Sequence, residues 1–337
     1  MSEPVATTDH PEREYDPLAE RTPESTVEEK ERRALVVGES LIDVVHRADG
    51  DVREHAGGSP MNVAIGLARL GRGVDLLTWF GKDERGTMIA EHLAASGVAV
   101  VPGSDGAERT PVAIATIGPD GAASYEFDVS YEIPSTWTAP PAAPLVVHTG
   151  SIATAIEPGS HDIPHILSAH RPTATITYDP NLRPSLMPPP EETRPLVEHL
   201  VGLADVVKVS DEDLAWLVSG SEPLDTAAAW LELGPSAVVV TQGGSGAVAL
   251  TATGLRVEVS APRVQVADTV GAGDSFMGGL IDGLWSAGLL GGDRRTALHA
   301  ADADVWRAVL DRCVRIAAIT VSRAGANPPT AAELDQP

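Results

Sequence analysis

The chain has 337 residues, enough for one large α/β domain or two average ones, and a core of that size needs no disulfide or structural metal. Its 48 acidic and 24 basic residues give a net charge of −24, which argues against nucleic acid and anionic membrane surfaces as partners. Cys313 is the only cysteine, so no intramolecular disulfide forms, and its apolar helical setting predicts a core residue.

Residues 1–33 hold ten acids and five bases, several prolines and almost no large apolar side chains, which predicts a disordered acidic tail. That tail is too polar for a signal peptide. No apolar run approaches the ~18 residues of a membrane span, so a cytoplasmic protein is expected. Ordered structure is expected from residue 34 to about 332. Ala34–Gly38 is an apolar run ending in glycine, as a buried strand would be. Ser59 and Pro60 then read as N-cap and first residue of a helix that carries Met61, Ala64, Ile65 and Ala68 and closes at Gly71. Val74–Trp79 reads as a strand and Glu84–Ser96 as a helix. Val112–Ile117 and Ala122–Val129 flank Pro119-Asp120-Gly121, a hairpin signal with no helix between.

From Leu145 strands and helices alternate. Strands are predicted at Leu145–Val147, Ala174–Tyr178, Asp205–Lys208, Ala237–Thr241, Ala247–Leu250 and Arg256–Val259. Helices are predicted near 273–286 and 302–320, and prolines 188–190 mark a loop. The alternation implies a mostly parallel sheet covered on both faces, with ligands beyond the carboxyl ends of its strands.

Several nucleotide and hydrolase signatures are absent: no G-x-x-x-x-G-K-[ST], no dinucleotide glycine spacing after Gly38, no G-x-S-x-G and no H-E-x-x-H. His161 and His165 are four apart but lack the further ligands that zinc requires. The sharpest feature is Asp268-Thr269-Val270-Gly271-Ala272-Gly273-Asp274-Ser275-Phe276, which opens a predicted helix. Small residues there let backbone N–H groups approach a ligand, and the helix dipole adds positive potential. Gly271, Ala272 and Gly273 thus make a candidate anion hole, and Asp274 at its edge is placed to accept the proton of an attacking hydroxyl.

Those nine residues are similar to the second signature of the ribokinase-like (PfkB) carbohydrate kinases. Gly57-Gly58-Ser59-Pro60-Met61-Asn62-Val63-Ala64, running into Leu70-Gly71, resembles the first, and the two lie about 200 residues apart in the family's order. The resemblance implies a three-layer α/β/α sandwich with a mostly parallel central sheet and a small β lid, drawn from about 44–56 and 109–130. It implies ATP, Mg²⁺ and a monovalent cation such as K⁺ as cofactors, a small-molecule sugar as partner, and a homodimer through the lids. By the same resemblance Asp274 is the catalytic base and Asp43 holds sugar hydroxyls with Gly58 and Asn62. Thr241, Gly243 and Gly246 lie at the nucleotide phosphates, with Lys208 and Ser210 nearby. Asn327 lies near the adenine, and Asp268 and the Val270 carbonyl bind the monovalent cation.

One segment departs from the family. Many members have N-x-x-E where this chain has Ser210-Asp211-Glu212-Asp213. Asp213, with Glu212 beside it, takes the place of the Glu that helps organise Mg²⁺; the same residues have the form of a capping box, and the two readings are compatible. Tyr178-Asp179-Pro180-Asn181-Leu182-Arg183 resembles the fructokinase and 2-keto-3-deoxygluconate kinase branches, with Arg183 a candidate substrate contact. Gly38-Glu39-Ser40-Leu41-Ile42-Asp43 and His148-Thr149-Gly150-Ser151 look more like fructokinases. A kinase-like binding protein without turnover is the alternative of a different class.

Overall fold

The computed structural model describes residues 32–46, 50–117, 123–138 and 142–335. Nearly all of the expected tail, and the turn Pro119-Asp120-Gly121, lie outside the described residues. The chain opens on β1 (Arg33–Val37), then forms an antiparallel pair, β2 (Leu41–His46) and β3 (Val52–Gly57). It continues through α1 (Ser59–Arg69), β4 (Gly73–Leu77), α2 (Glu84–Ala95) and β5 (Ala99–Val100) to the antiparallel β6 (Val112–Ile117) and β7 (Ala123–Asp128). Next come β8 (Val146–Gly150), α3 (Ile163–His170), β9 (Thr175–Asp179), α4 (Pro190–Leu203), β10 (Val206–Ser210), α5 (Asp211–Leu217), α6 (Pro223–Leu231) and β11 (Ala237–Thr241). The last elements are β12 (Ala247–Thr251), β13 (Arg256–Val259), α7 (Ala272–Ser286), α8 (Arg295–His299), α9 (Ala303–Val321) and α10 (Ala331–Leu334).

Nine strands form the main sheet in the order β13-β12-β11-β10-β9-β8-β1-β4-β5. All neighbours are parallel except β11/β12 and β12/β13, which finish one edge as an antiparallel ribbon. The central strands are buried on both faces, and their side chains alternate between two cores. Ala34 and Val36 of β1 enter one core with Met61, Ile89, Leu280 and Trp306 from α1, α2, α7 and α9. Leu35 and Val37 enter the other with Leu167, Val201, Leu217 and Trp230 from α3 to α6. Two helical layers therefore sandwich the sheet, because a strand with apolar residues at every position must be covered twice. Cys313 is buried in the first core.

A second sheet, ordered β3-β2-β6-β7, packs Ile42, Val44 and Val112 against the first core. Because the strands run parallel, Gly38, Gly150, Asp179, Ser210 and Thr241 all emerge at one edge of the main sheet. The small sheet joins the main fold at that edge through the Gly38–Leu41 connection. Across the core, Asp282 of α7 accepts 2.6 Å bonds from Arg72 and Arg312, and the Arg72 guanidinium lies 5.0 Å from the Trp285 ring centroid. This ion triad ties α7 to α9 and to the end of α1.

Two local expectations need correction. Pro190 is not loop: it opens α4, where its missing N–H costs nothing and its fixed φ suits the first turn. Ser59 does not cap α1. Gly58 holds the N-cap position, and the Ser59 hydroxyl is committed elsewhere.

Candidate active site

Asp274 stands in the first turn of α7 and is only 7 % exposed. Gly271, just before the helix, has φ 74°, and a Cβ there would meet Ala326 Cβ at 2.6 Å. Glycine is required on both counts, backbone and space. The Ala272 N–H turns back to the Thr269 carbonyl at 3.3 Å, so one of the three expected anion donors is committed to the turn. The N–H groups of Gly271, Gly273 and Asp274 donate to no acceptor among the described residues. They form the open mouth of the helix.

The Asp274 carboxylate is held from three sides. Oδ1 accepts the Ser59 hydroxyl at 2.7 Å and Asn181 Nδ2 at 3.3 Å, and Oδ2 accepts Asn62 Nδ2 at 2.8 Å. Asn62, expected to touch the ligand directly, gives one of its two amide N–H groups to Asp274. Asn181 has φ 38°, a left-handed turn after β9 that an Asn tolerates. Its Nδ2 also reaches Ser59 Oγ at 2.7 Å, and its Oδ1 accepts Arg183 Nη1 at 2.8 Å.

Beside this cluster lies a buried ion pair: Lys208 Nζ donates to Asp179 Oδ2 at 2.8 Å, with both side chains at most 4 % exposed. Burial pushes the Asp179 carboxyl up to about 6, against the pull of Lys208. A Cβ on Gly273 would stand 3.0 Å from Lys208 Nζ, so this ammonium faces the mouth of α7. Burial likewise raises Asp213 in α5, again opposed by Lys208. Ser210 caps that helix, its Oγ accepting the Asp213 N–H at 3.0 Å, while Glu212 is exposed. The Ser210 half of the capping box is therefore realised, without a reciprocal bond from the Asp213 carboxylate among the described residues.

Opposite α7, Asp43 projects from β2 with its carboxylate over Gly57, where a Cβ would overlap Oδ2. The side chain meets solvent, yet crowding by protein atoms pushes its carboxyl up to about 6, with His55 and Arg183 pulling the other way. Gly58 serves a parallel purpose: a Cβ there would stand 2.5 Å from the Glu39 carbonyl. Glu39 is fully buried and accepts the Ala153 N–H at 3.1 Å; desolvation pushes its carboxyl up to about 7. Arg183 places Nη1 on the Asn181 and Leu182 carbonyls at 3.1 and 2.9 Å, and its other nitrogens make no hydrogen bond among the described residues.

Thr241 to Gly246 form the turn between β11 and β12, closed by the Gln242 N–H on the Gly246 carbonyl at 2.9 Å. Gly243 has φ 50° with open space around it, whereas a Cβ on Gly246 would collide with the Val259 carbonyl. Asp268 accepts the Val270 N–H at 3.0 Å and the Gly325 N–H at 2.9 Å, bonds that hold its carboxyl below the ordinary range. Those bonds join the loop before α7 to the loop after α9. Asn327 Oδ1 accepts Arg69 Nη1 at 2.5 Å, so its side chain ties the loop after α9 to α1.

The model of the pfkB family carbohydrate kinases matches residues 31–332. The chain belongs to this family. The fructokinase of Klebsiella pneumoniae is 32 % identical over 265 residues, covering 75 % of this chain and 85 % of the relative. Probable fructokinase-4 of Arabidopsis thaliana is 34 % identical, covering 90 % and 96 %. The solved fructokinase of Vibrio cholerae O395, with fructose, ADP and calcium ion bound, superposes at a TM-score of 0.72 with 25 % identity, over 88 % of this chain and 94 % of that one. A double mutant of that enzyme holds fructose, ADP and potassium ion. This carbohydrate kinase is an ATP-dependent enzyme acting on a sugar. No described helix is long and apolar enough to cross a membrane.

Sequence reasoning missed Ser59, Asn181 and Asp179 as members of the cluster. Asn181 and Asp179 lay in a segment already singled out for its resemblance. The Ser59 partner, 215 residues away, carried no local signal.

Proposed function

We propose that this carbohydrate kinase transfers the γ-phosphoryl group of ATP to fructose, with Asp274 as the base. The carrying observation is the juxtaposition of Asp274, held by three hydrogen bonds with one lone pair of Oδ2 left open, with the open N–H groups at the mouth of α7 and with Asp43. Asp43, once ionised, accepts two hydroxyl donors and fixes the sugar; Arg183 adds a donor fork beside it. The small sheet that carries Asp43 closes the cleft as a lid. The sugar oxygen attacks the γ-phosphorus, its proton passes to Asp274, and the bond from phosphorus to the β,γ-bridging oxygen breaks to release ADP. The N–H groups of Gly271 and Gly273, with the Lys208 ammonium, stabilise the charge on the phosphoryl oxygens. Fructose is favoured by the Asp179-Pro180-Asn181-Leu182-Arg183 segment and by the fructokinases named above.

Mg²⁺ takes most of its ligands from phosphates and water, so a family kinase needs no protein cage. No group of three or more His, Cys, Asp or Glu able to hold a metal occurs among the described residues, and the part-buried Asp213 carboxylate fits a water-mediated contact. Mg²⁺ there would offset phosphate charge. Asp268 retains lone pairs beyond its two backbone bonds, and with the Val270 carbonyl it suits a monovalent cation that orders the loop before α7. Thr241 and Gly243 line the phosphate side of the nucleotide.

The test is ADP release with ATP, Mg²⁺ and K⁺ over fructose, 2-keto-3-deoxygluconate, ribose, tagatose and adenosine. Highest kcat/KM on fructose is expected; a higher value on another acceptor would discard the fructose assignment and keep the mechanism.

A further inference from the structure

We infer that Oδ2 of Asp274 is the oxygen that takes the proton, and that Asn181 and Ser59 are positioning residues that hold the carboxylate in that sense. The inference rests on the base assignment above. A carboxylate offers about four lone-pair sites, two on each oxygen. Oδ1 spends both on Ser59 and Asn181, whereas Oδ2 spends one on Asn62 and keeps one. An attacking hydroxyl can therefore bond only to Oδ2 without displacing a protein donor.

The orientation of the Asn181 amide follows from chemistry rather than from density of contacts. Arg183 has only donors, so the amide oxygen must face its Nη1 at 2.8 Å. Nδ2 is then forced toward Ser59 Oγ at 2.7 Å, and the Ser59 proton in turn must point to Asp274 Oδ1 at 2.7 Å. The result is one directed chain, Arg183 to Asn181 to Ser59 to Asp274, with a shortcut from Asn181 to Asp274. It joins the turn after β9 to the first turns of α1 and α7. Both positioning side chains are built in: Ser59 is buried, and the Asn181 amide is held between Arg183 and Ser59. The charged groups around Asp274 are Asp43 from β2, Asp179 from β9, Lys208 from β10 and Arg183.

The test compares Asn181→Asp, Ser59→Ala and Ser59→Thr with the wild type, measuring kcat, KM and the acid limb of kcat/KM from pH 5 to 9, with Tm to confirm folding. Asn181→Asp keeps the shape and the acceptor for Arg183 but replaces the donor with a second carboxylate. Its kcat is expected to fall about 100-fold and its acid limb to move up by about one pH unit, because a like charge disfavours the ionised base. Ser59→Ala is expected to lower kcat about tenfold, the worth of one hydrogen bond to a charged group, with the acid limb again moving up; Ser59→Thr restores both. KM for ATP stays within about twofold, which a general structural defect would not leave intact. If Oδ1 were the reacting oxygen, Ser59→Ala would free its lone pair and raise kcat, and that result overturns the assignment. An Asn181→Asp enzyme with wild-type kcat and an unmoved acid limb overturns it too. The comparison uses whichever sugar of the panel the wild type phosphorylates, so failure of the fructose assignment is read separately. A wild type inert on every sugar overturns both.

Discussion

Gly273→Ala separates the chemistry of the α7 mouth from the stability of the fold. Gly273 lies inside the first turn of a right-handed helix and, unlike Gly271, has no positive φ to defend. Alanine is the better helix former there by about 1 kcal/mol. The added Cβ, however, stands 3.0 Å from Lys208 Nζ, which is buried and already donating to Asp179 at 2.8 Å. The ammonium must shift by a few tenths of an ångström, straining a charge-assisted bond whose full loss costs roughly 1.5–3 kcal/mol. The two effects oppose each other, so unfolding free energy from urea titration should change by less than about 2 kcal/mol. Activity should not survive so well. The methyl group covers an N–H that must approach the phosphoryl oxygens and displaces the one buried ammonium beside it. Removing one such donor costs about 10²- to 10³-fold in kcat. Steady-state ADP release at saturating sugar reads this directly. A folded Gly273→Ala enzyme with kcat within about threefold of wild type would refute the anion-hole reasoning.

Other parts of the structure carry their own tests. Glu39 has its folded pKa raised from 4.5 to about 7, so the folded state binds more protons than the unfolded state between those values, and stability is lost as pH rises through about 7. At 1.36 kcal/mol per pH unit, Glu39→Gln should be more stable than wild type by about 3 kcal/mol at pH 8, by denaturant titration, with the gain vanishing near pH 4.5; an equal effect at both pH values would contradict this. Asp282→Ala removes the buried carboxylate that Arg72 and Arg312 share, a defect worth about 3–5 kcal/mol. Calorimetry should show Tm lower by about 5–8 °C, and a change under about 2 °C would remove the triad from the account.

Much of this fold is legible in the chain because its signals are local. Ala34–Val37 of β1 and Ala237–Val240 of β11 are runs of consecutive apolar residues, as strands covered twice must be. The run from Asp268 to Phe276 joins small residues to a helix start, and the mouth of α7 forms there. What escaped detection depends on partners distant in sequence. Ser59 looks like a helix cap beside Pro60, and only the arrival of α7 turns its hydroxyl into a support for Asp274. Lys208 reads as a strand residue with no stated partner until β9 brings Asp179 beside it. Gly58 looks like a ligand contact, and Gly57 only like the start of its motif. Their reason is the close approach of the Asp43 carboxylate and the Glu39 carbonyl, which no spacing along the chain announces. The bond between Asn327 and Arg69 is equally silent in the chain, since Arg69 comes from a helix more than 250 residues earlier.

The most direct test of the account is the turnover of Asp274→Asn. The variant keeps nearly the same shape, and a flip of the Asn62 amide lets its oxygen meet the new Nδ2. The fold and ATP binding should therefore persist, with Kd for ATP within about threefold by calorimetric titration. Loss of a general base costs about 10²- to 10⁴-fold, so kcat for sugar phosphorylation should fall by about 10³-fold. A folded, ATP-binding Asp274→Asn enzyme with kcat within about tenfold of wild type would show that the proton goes elsewhere.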